Sequence, residues 1–104
     1  MNLREANIER EREWDKDNVI TLSYRGNEMA GECGEACNII KKLERAKLGL
    51  KGNTATVQQL ADELADVVIC ADLIAMDMEI DLFGKAIPEK FNKTSIKYDL
   101  QTRM

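Results

Sequence analysis

The feature that most limits the fold is a stripe in which Val57, Leu60, Ala61, Leu64, Val67, Val68, Ala71, Ile74, Ala75 and Met78 recur at intervals of three and four. That period belongs to a helix; in a half-buried strand the apolar residues would alternate. Within it the run VVICADLIAM, residues 67–76, has Asp72 as its only polar residue. A helix that is apolar nearly all round has to be covered on more than one side. A chain of 104 residues buries only about 60 to 65% of the surface its unfolded form exposes. Few elements remain to do the covering, so the sequence predicts a second copy of the chain against this helix.

The rest of the chain reads the same way. Gly, Pro and Asn cluster in a few places, and between them the apolar spacing is helical. A first helix is expected from Leu3 to about Trp14, ending in the stretch Asp15 to Asn18. A second begins near Thr21 or Ser23 and runs to about Leu48, with Met29, Cys33, Ala36, Cys37, Ile40 and Leu43 on one side. Its basic end, Lys41, Lys42, Arg45 and Lys47, suits the negative pole of a helix dipole. The turn GLKGN, 49–53, breaks it. The third helix starts after Thr54 or Thr56, either a fitting cap, and ends near Met78 or Glu79. After a short connection around Asp81 to Gly84, a fourth is expected from Ile87 or Pro88 to Lys97 or Tyr98, with Pro in the first turn where its missing N–H costs nothing. No linker divides the chain, so residues 1–104 form a single all-α domain.

Composition then excludes chemistry. There is no His, which removes Ser-His-Asp and Cys-His nucleophiles, His-ligated zinc and the Glu-x-x-His di-iron bundles. A net charge of -4 and a pI near 4.9 argue against a nucleic-acid partner, which takes an excess of Lys and Arg to neutralise phosphates. Cys33, Cys37 and Cys70 are too few and too uneven for a disulfide framework and read as small buried apolar side chains. Cys33 and Cys37 share a helix face but lack the further ligands a soft metal needs. The N-terminus MNLREANIERERE has no signal-peptide pattern, and no apolar run approaches the ~20 residues that span a bilayer. A cytoplasmic protein without a membrane partner is expected. Charge is also unevenly placed. Residues 62–81 hold seven acids and no Lys or Arg, whereas Lys85, Lys90, Lys93, Lys97 and Arg103 face only Glu89 and Asp99 in the tail.

Two short patterns carry the chemistry: Glu32-x-x-Glu35 on the second helix and Glu63-x-x-Asp66 on the third. Residues three apart on a helix point the same way, so each pair aims two carboxylates in one direction. Such a pair alone fits an ordinary solvated face. Here, however, Glu32 precedes Cys33, Glu35 precedes Ala36 and Asp66 precedes Val67, which sets each acid at the margin of an apolar stripe. If the two helices form an antiparallel hairpin, four carboxylates converge on one rim of the core, with Glu28 one turn away. Four like charges repel and raise each other's pKa unless a cation lies among them. Carboxylates alone are hard oxygen ligands and favour Mg²⁺, with Mn²⁺ as a substitute. Mg²⁺ commonly takes its remaining ligands from substrate phosphates, so the pattern points to phosphate chemistry.

The segments GECGEACNIIKKLE and QQLADELADVVICADLIAM, which contain these pairs, resemble the MazG-like, all-α nucleoside triphosphate pyrophosphohydrolases, whose mark is a Glu-x-x-Glu helix followed by a Glu-x-x-Asp helix. The resemblance extends over roughly residues 20–98. It implies a four-helix MazG-like bundle completed by homo-oligomerisation, as a homodimer or homotetramer. It also implies that Glu32, Glu35, Glu63 and Asp66 hold Mg²⁺, and that a (d)NTP is hydrolysed to the (d)NMP and pyrophosphate, for nucleotide-pool house-cleaning or precursor supply. The family often has a further Glu immediately before the first pair, where this chain has Gly31. Without His, the general base is a carboxylate, Glu35 or Glu63, or a metal-bound hydroxide. The stretch KFNKTSIK, with Lys90, Asn92, Lys93 and Lys97, resembles the family's basic last helix and would offset the charge of the leaving pyrophosphate. Trp14 is the aromatic expected to stack on the base. The competing expectation is a non-enzymatic helical oligomerisation or interaction module, with the acids on its surface and the VVICADLIAM helix as its seam.

Overall fold

The computed structural model describes residues 1–52 and 54–104; Asn53, the last residue of the expected GLKGN turn, lies outside them. Four α-helices follow one another: α1 Leu3–Trp14, α2 Leu22–Lys47, α3 Val57–Asp77 and α4 Ile87–Lys97, with no strand among the described residues. Side chains fix the starts. Asn2 accepts from the Glu5 N–H while Glu5 accepts from the Asn2 N–H, and Thr56 and Gln59 form the same reciprocal box at α3. Thr21 caps α2 by accepting from the Tyr24 N–H. Asp15 holds the α1–α2 turn, its carboxylate accepting from the Val19 and Ile20 N–H groups, and those bonds keep its pKa below the ordinary value.

Three of the helices end alike. After α2, the Gly49 N–H donates to the Ala46 carbonyl and the Leu50 N–H to that of Arg45, with Gly49 at φ +72°. The same pair of bonds closes α3 through Glu79 and Ile80 and α4 through Asp99 and Leu100. There the left-handed position is held by Glu79 (φ +55°) and Asp99 (φ +53°) rather than by glycine. The expected irregular connection before α4 is instead a π turn, Leu82–Ala86, in which the Ala86 N–H reaches the Asp81 carbonyl and the Ile87 N–H reaches that of Leu82. Gly84 is required inside it, because a Cβ there would lie 2.7 Å from an Asp81 carboxylate oxygen.

Pairing of Arg25 with Asp77 and of Glu28 with Cys70 shows that α2 and α3 run antiparallel as a hairpin. The α1 helix packs on α3 and is tied to the hairpin by charge. Asp72, fully buried on α3, accepts from Arg4 Nη2 at 2.9 Å and from Asn7 Nδ2 at 2.9 Å. Arg4 also donates to the Ile80 carbonyl at 2.7 Å. A second node joins all three helices, with Arg25 donating to Glu11 and to Asp77. The chain itself thus covers Cys70, Asp72, Leu73 and Ala75 of the VVICADLIAM helix, while Leu64 and Val68 stay almost half exposed. Of the cysteines expected to be buried, only Cys70 is; Cys33 and Cys37 are exposed, on a face of α2 that no element among the described residues covers. The α4 helix continues directly from the π turn and makes few contacts with α1, α2 or α3. The radius of gyration is accordingly 17.2 Å, against about 13 Å for a compact domain of this length. No helix among the described residues is long and apolar enough to cross a membrane.

Burial alone would raise the Asp72 pKa, but its bonds to Arg4 and Asn7 outweigh that and hold it below the ordinary carboxylate value. Breaking a buried pair by removing one partner costs about 3 to 5 kcal/mol. Arg4 keeps 26% of its side chain exposed, so Arg4→Met is expected at the low end, about 3 kcal/mol by urea unfolding. Adding Asp72→Asn, which removes the stranded charge and keeps a partner for Asn7, should recover at least half of that loss. An Arg4→Met protein as stable as the parent would refute the tether.

Candidate metal centre

The hairpin register brings the two acidic pairs together. Glu32 of α2 and Glu63 and Asp66 of α3 each offer a carboxylate oxygen, and the three oxygens lie within 4.8 Å of one another. Glu35, a turn further along α2, is exposed, and its carboxylate lies close enough to Glu32 and Glu63 to act on both as a hydrogen-bonding neighbour. Three of the four expected acids form the tight cluster and the fourth stands beside it.

The cluster is electrostatically unsatisfied. The Glu32 carboxyl is pushed up to about 7 by burial first, then by Glu35, and by the charges of Asp66 and Glu63. Glu63 is raised as well, by Glu35 and by burial. One oxygen of each, Glu32 Oε2 and Glu63 Oε2, is buried with no hydrogen-bond partner among the described residues. Buried carboxylate oxygens are almost always paired with a donor or a metal. The donor set consists of carboxylates only, and two of its oxygens lack any protein partner, so these residues fit a hard divalent cation.

A cavity of about 310 Å³ opens beside the cluster. Glu32 and Asp66 form one side, and Trp14 and Arg10 from α1 form another. Trp14, 76% exposed, therefore lines the same cavity as Glu32 and Asp66. Arg10, which spacing did not single out, is there only because α1 crosses the hairpin. Glu28 also lines the cavity, and the Cys70 thiol donates to it at 3.5 Å. Burial and Glu28 push that thiol up to about 12, so Cys70 stays protonated in the metal-free protein.

The basic residues of the last helix are elsewhere. Lys90, Lys93 and Lys97 are on α4, which does not pack against the hairpin of its own chain. Lys97 lies over the Tyr98 ring, 5.4 Å from its centre. The Asn92 side-chain amide exchanges two hydrogen bonds with the Met104 backbone, which folds the tail back along α4. Comparison of the chain with protein-family models, with curated proteins and with solved structures found no match.

The raised carboxyl groups set a pH dependence. The native protein holds protons that the unfolded chain has released above its ordinary Glu value of 4.5. Stability of the metal-free protein should therefore fall as pH rises from about 4.5 to about 7. A divalent cation competes with those protons, so millimolar Mg²⁺ or Mn²⁺ should raise the melting temperature more at pH 8 than at pH 5. Glu63→Gln should melt above the parent at pH 8 without metal and lose the metal-induced rise. The cluster is no metal site if scanning calorimetry finds the same cation shift in parent and variant, or none in either.

Proposed function

We propose that this chain is a divalent-metal-dependent nucleoside triphosphate pyrophosphohydrolase that works as a homo-oligomer. The observation that carries the proposal is the cluster of Glu32, Glu63 and Asp66, with two unpartnered buried oxygens, opening onto a cavity that Trp14 lines. The resemblance to MazG-like enzymes lies in the same residues. Glu32, Glu63 and Asp66 would hold Mg²⁺ or Mn²⁺. When bound, the cation neutralises phosphate charge and polarises the α-phosphate.

The chain's own residues would do the rest. Glu35 is exposed beside the cluster, so it is free to accept a proton while its neighbours serve as ligands. A water oxygen attacks the α-phosphorus as its proton passes to Glu35. The bond from that phosphorus to the bridging oxygen breaks, and pyrophosphate leaves with its electron pair. Trp14 offers a face to the base and Arg10 a positive charge at the mouth of the cavity. The second reading, a non-enzymatic oligomerisation module, is favoured by the exposure of Val57, Leu64, Val68 and Ile40 along one side of the hairpin.

A pyrophosphate-release panel over normal and modified nucleotides separates the two. The parent should turn over at least one nucleotide with Mg²⁺. Glu63→Gln and Asp66→Asn should each lose more than the ~10- to 100-fold that loss of an outer-shell metal partner costs. Trp14→Ala should raise KM with kcat nearly unchanged, as expected when uniform binding is removed. Inactivity of the parent on every nucleotide would leave the module; full activity in both acid variants would remove these residues from the mechanism.

A further inference from the structure

The chain exposes 7841 Å², whereas a compact monomer of 11.8 kDa exposes about 5,900 Å². Two copies burying that excess against each other would remove about 3,800 Å² in total, inside the range of ~2,000 to 5,000 Å² typical of obligate dimers. Part of the exposed apolar surface lies at the C-terminal end. Ile87, Phe91, Ile96 and Tyr98 of α4 and its tail are all exposed. On the far side of the π turn, between it and the start of α1, lies an open groove of about 880 Å³. Leu3, Ile8, Met76, Ile80, Leu82 and Phe83 make it apolar.

We propose that this groove receives α4 of a second copy, the two copies exchanging their fourth helices across a two-fold axis. The helix of the same chain is held out of the groove. It continues directly from the π turn through the Ala86-to-Asp81 and Ile87-to-Leu82 bonds, and the Asp81 carboxylate, bonded to the Gly84 N–H at 3.0 Å, locks that turn. Folding α4 back on its own groove would break these bonds; a partner's α4 enters without breaking any. Charge agrees. Glu79 and Asp81 border the groove, while α4 carries Lys90, Lys93 and Lys97 against Glu89 alone. Exchange also answers the amphipathic character of α4, whose apolar residues Ile87 and Phe91 stay exposed among the described residues.

The test uses the full chain with Cys33→Ser and Cys37→Ser. One preparation carries Phe83→Cys and another Phe91→Cys, and the two are mixed under mild oxidation. A disulfide between the two chains is expected, with little product from either alone. In parallel, light scattering should show the parent as a dimer or a larger even assembly. Ile87→Asp with Phe91→Asp should shift the dissociation midpoint by ~100-fold or more in concentration, with the helical signal retained. Leu64→Lys with Val68→Lys on the hairpin should leave the cross-link intact. Three results would overturn the exchange: a monomeric parent, a Phe83→Cys/Phe91→Cys double variant that closes within one chain, or a dimer indifferent to the α4 charges and dissolved by the hairpin ones. None depends on hydrolase activity: a monomeric parent would also remove the homo-oligomer of the proposed function, whereas the other two results sink the exchange and leave the hydrolase reading to the pyrophosphate-release panel.

Discussion

The position of α1 depends on one buried charge. Asp72 sits at 0% exposure in the most apolar stretch of the chain, where an uncompensated carboxylate would cost several kcal/mol. Arg4 and Asn7 supply the compensation, and both belong to α1. The helix buries only Asn7 outright, with Leu3, Ala6 and Ile8 half-buried beside it. Polar geometry, which is directional, sets its angle. That angle delivers Arg10 and Trp14 to the rim of the acidic cavity, and so α3 controls what stands opposite its own acids.

The same helix therefore holds two acids of opposite character. Asp72 is buried, doubly bonded and held below the ordinary carboxylate pKa. Glu63, about two and a half turns away, is raised and has an oxygen with no donor. A carboxylate that serves structure is satisfied by its own chain, as Asp72 is. One left unsatisfied among like charges is a cost to folding unless something else binds it. This contrast, rather than the number of acids, sets the cluster apart as the candidate site.

Much of the frame was legible in the residues, since caps and breakers act locally. Thr21, Thr56 and Pro88 mark helix starts through bonds they make or omit within one turn. The acidic pairs were legible because spacing on a helix fixes direction. What escaped depends on distant partners. Asp72 reads as the odd polar residue in an apolar run, and nothing local indicates that Arg4, sixty-eight positions away, will meet it. Glu79 and Asp99 take left-handed positions usually marked by Gly, although the ends of α3 and α4 themselves fall where the residue pattern puts them, at Met78 and Tyr98. Cys33 and Cys37 look like core by residue type, yet exposure is decided by whether another element reaches that face. Lys90, Lys93 and Lys97 have a phosphate-binding composition, but their distance from the acids is a matter of topology.

The two cavities share one rigid wall. The first turns of α1, through Leu3, Arg4 and Ile8, line the apolar groove, and its last turns, through Arg10 and Trp14, line the acidic cavity. A helix of 12 residues is about 18 Å long and moves as one body. It is pinned at two points, by Arg4 and Asn7 on Asp72 and by Glu11 on Arg25. The apolar groove and the acidic cavity are thus joined through a single element, whose two pins fix where both sets of side chains stand.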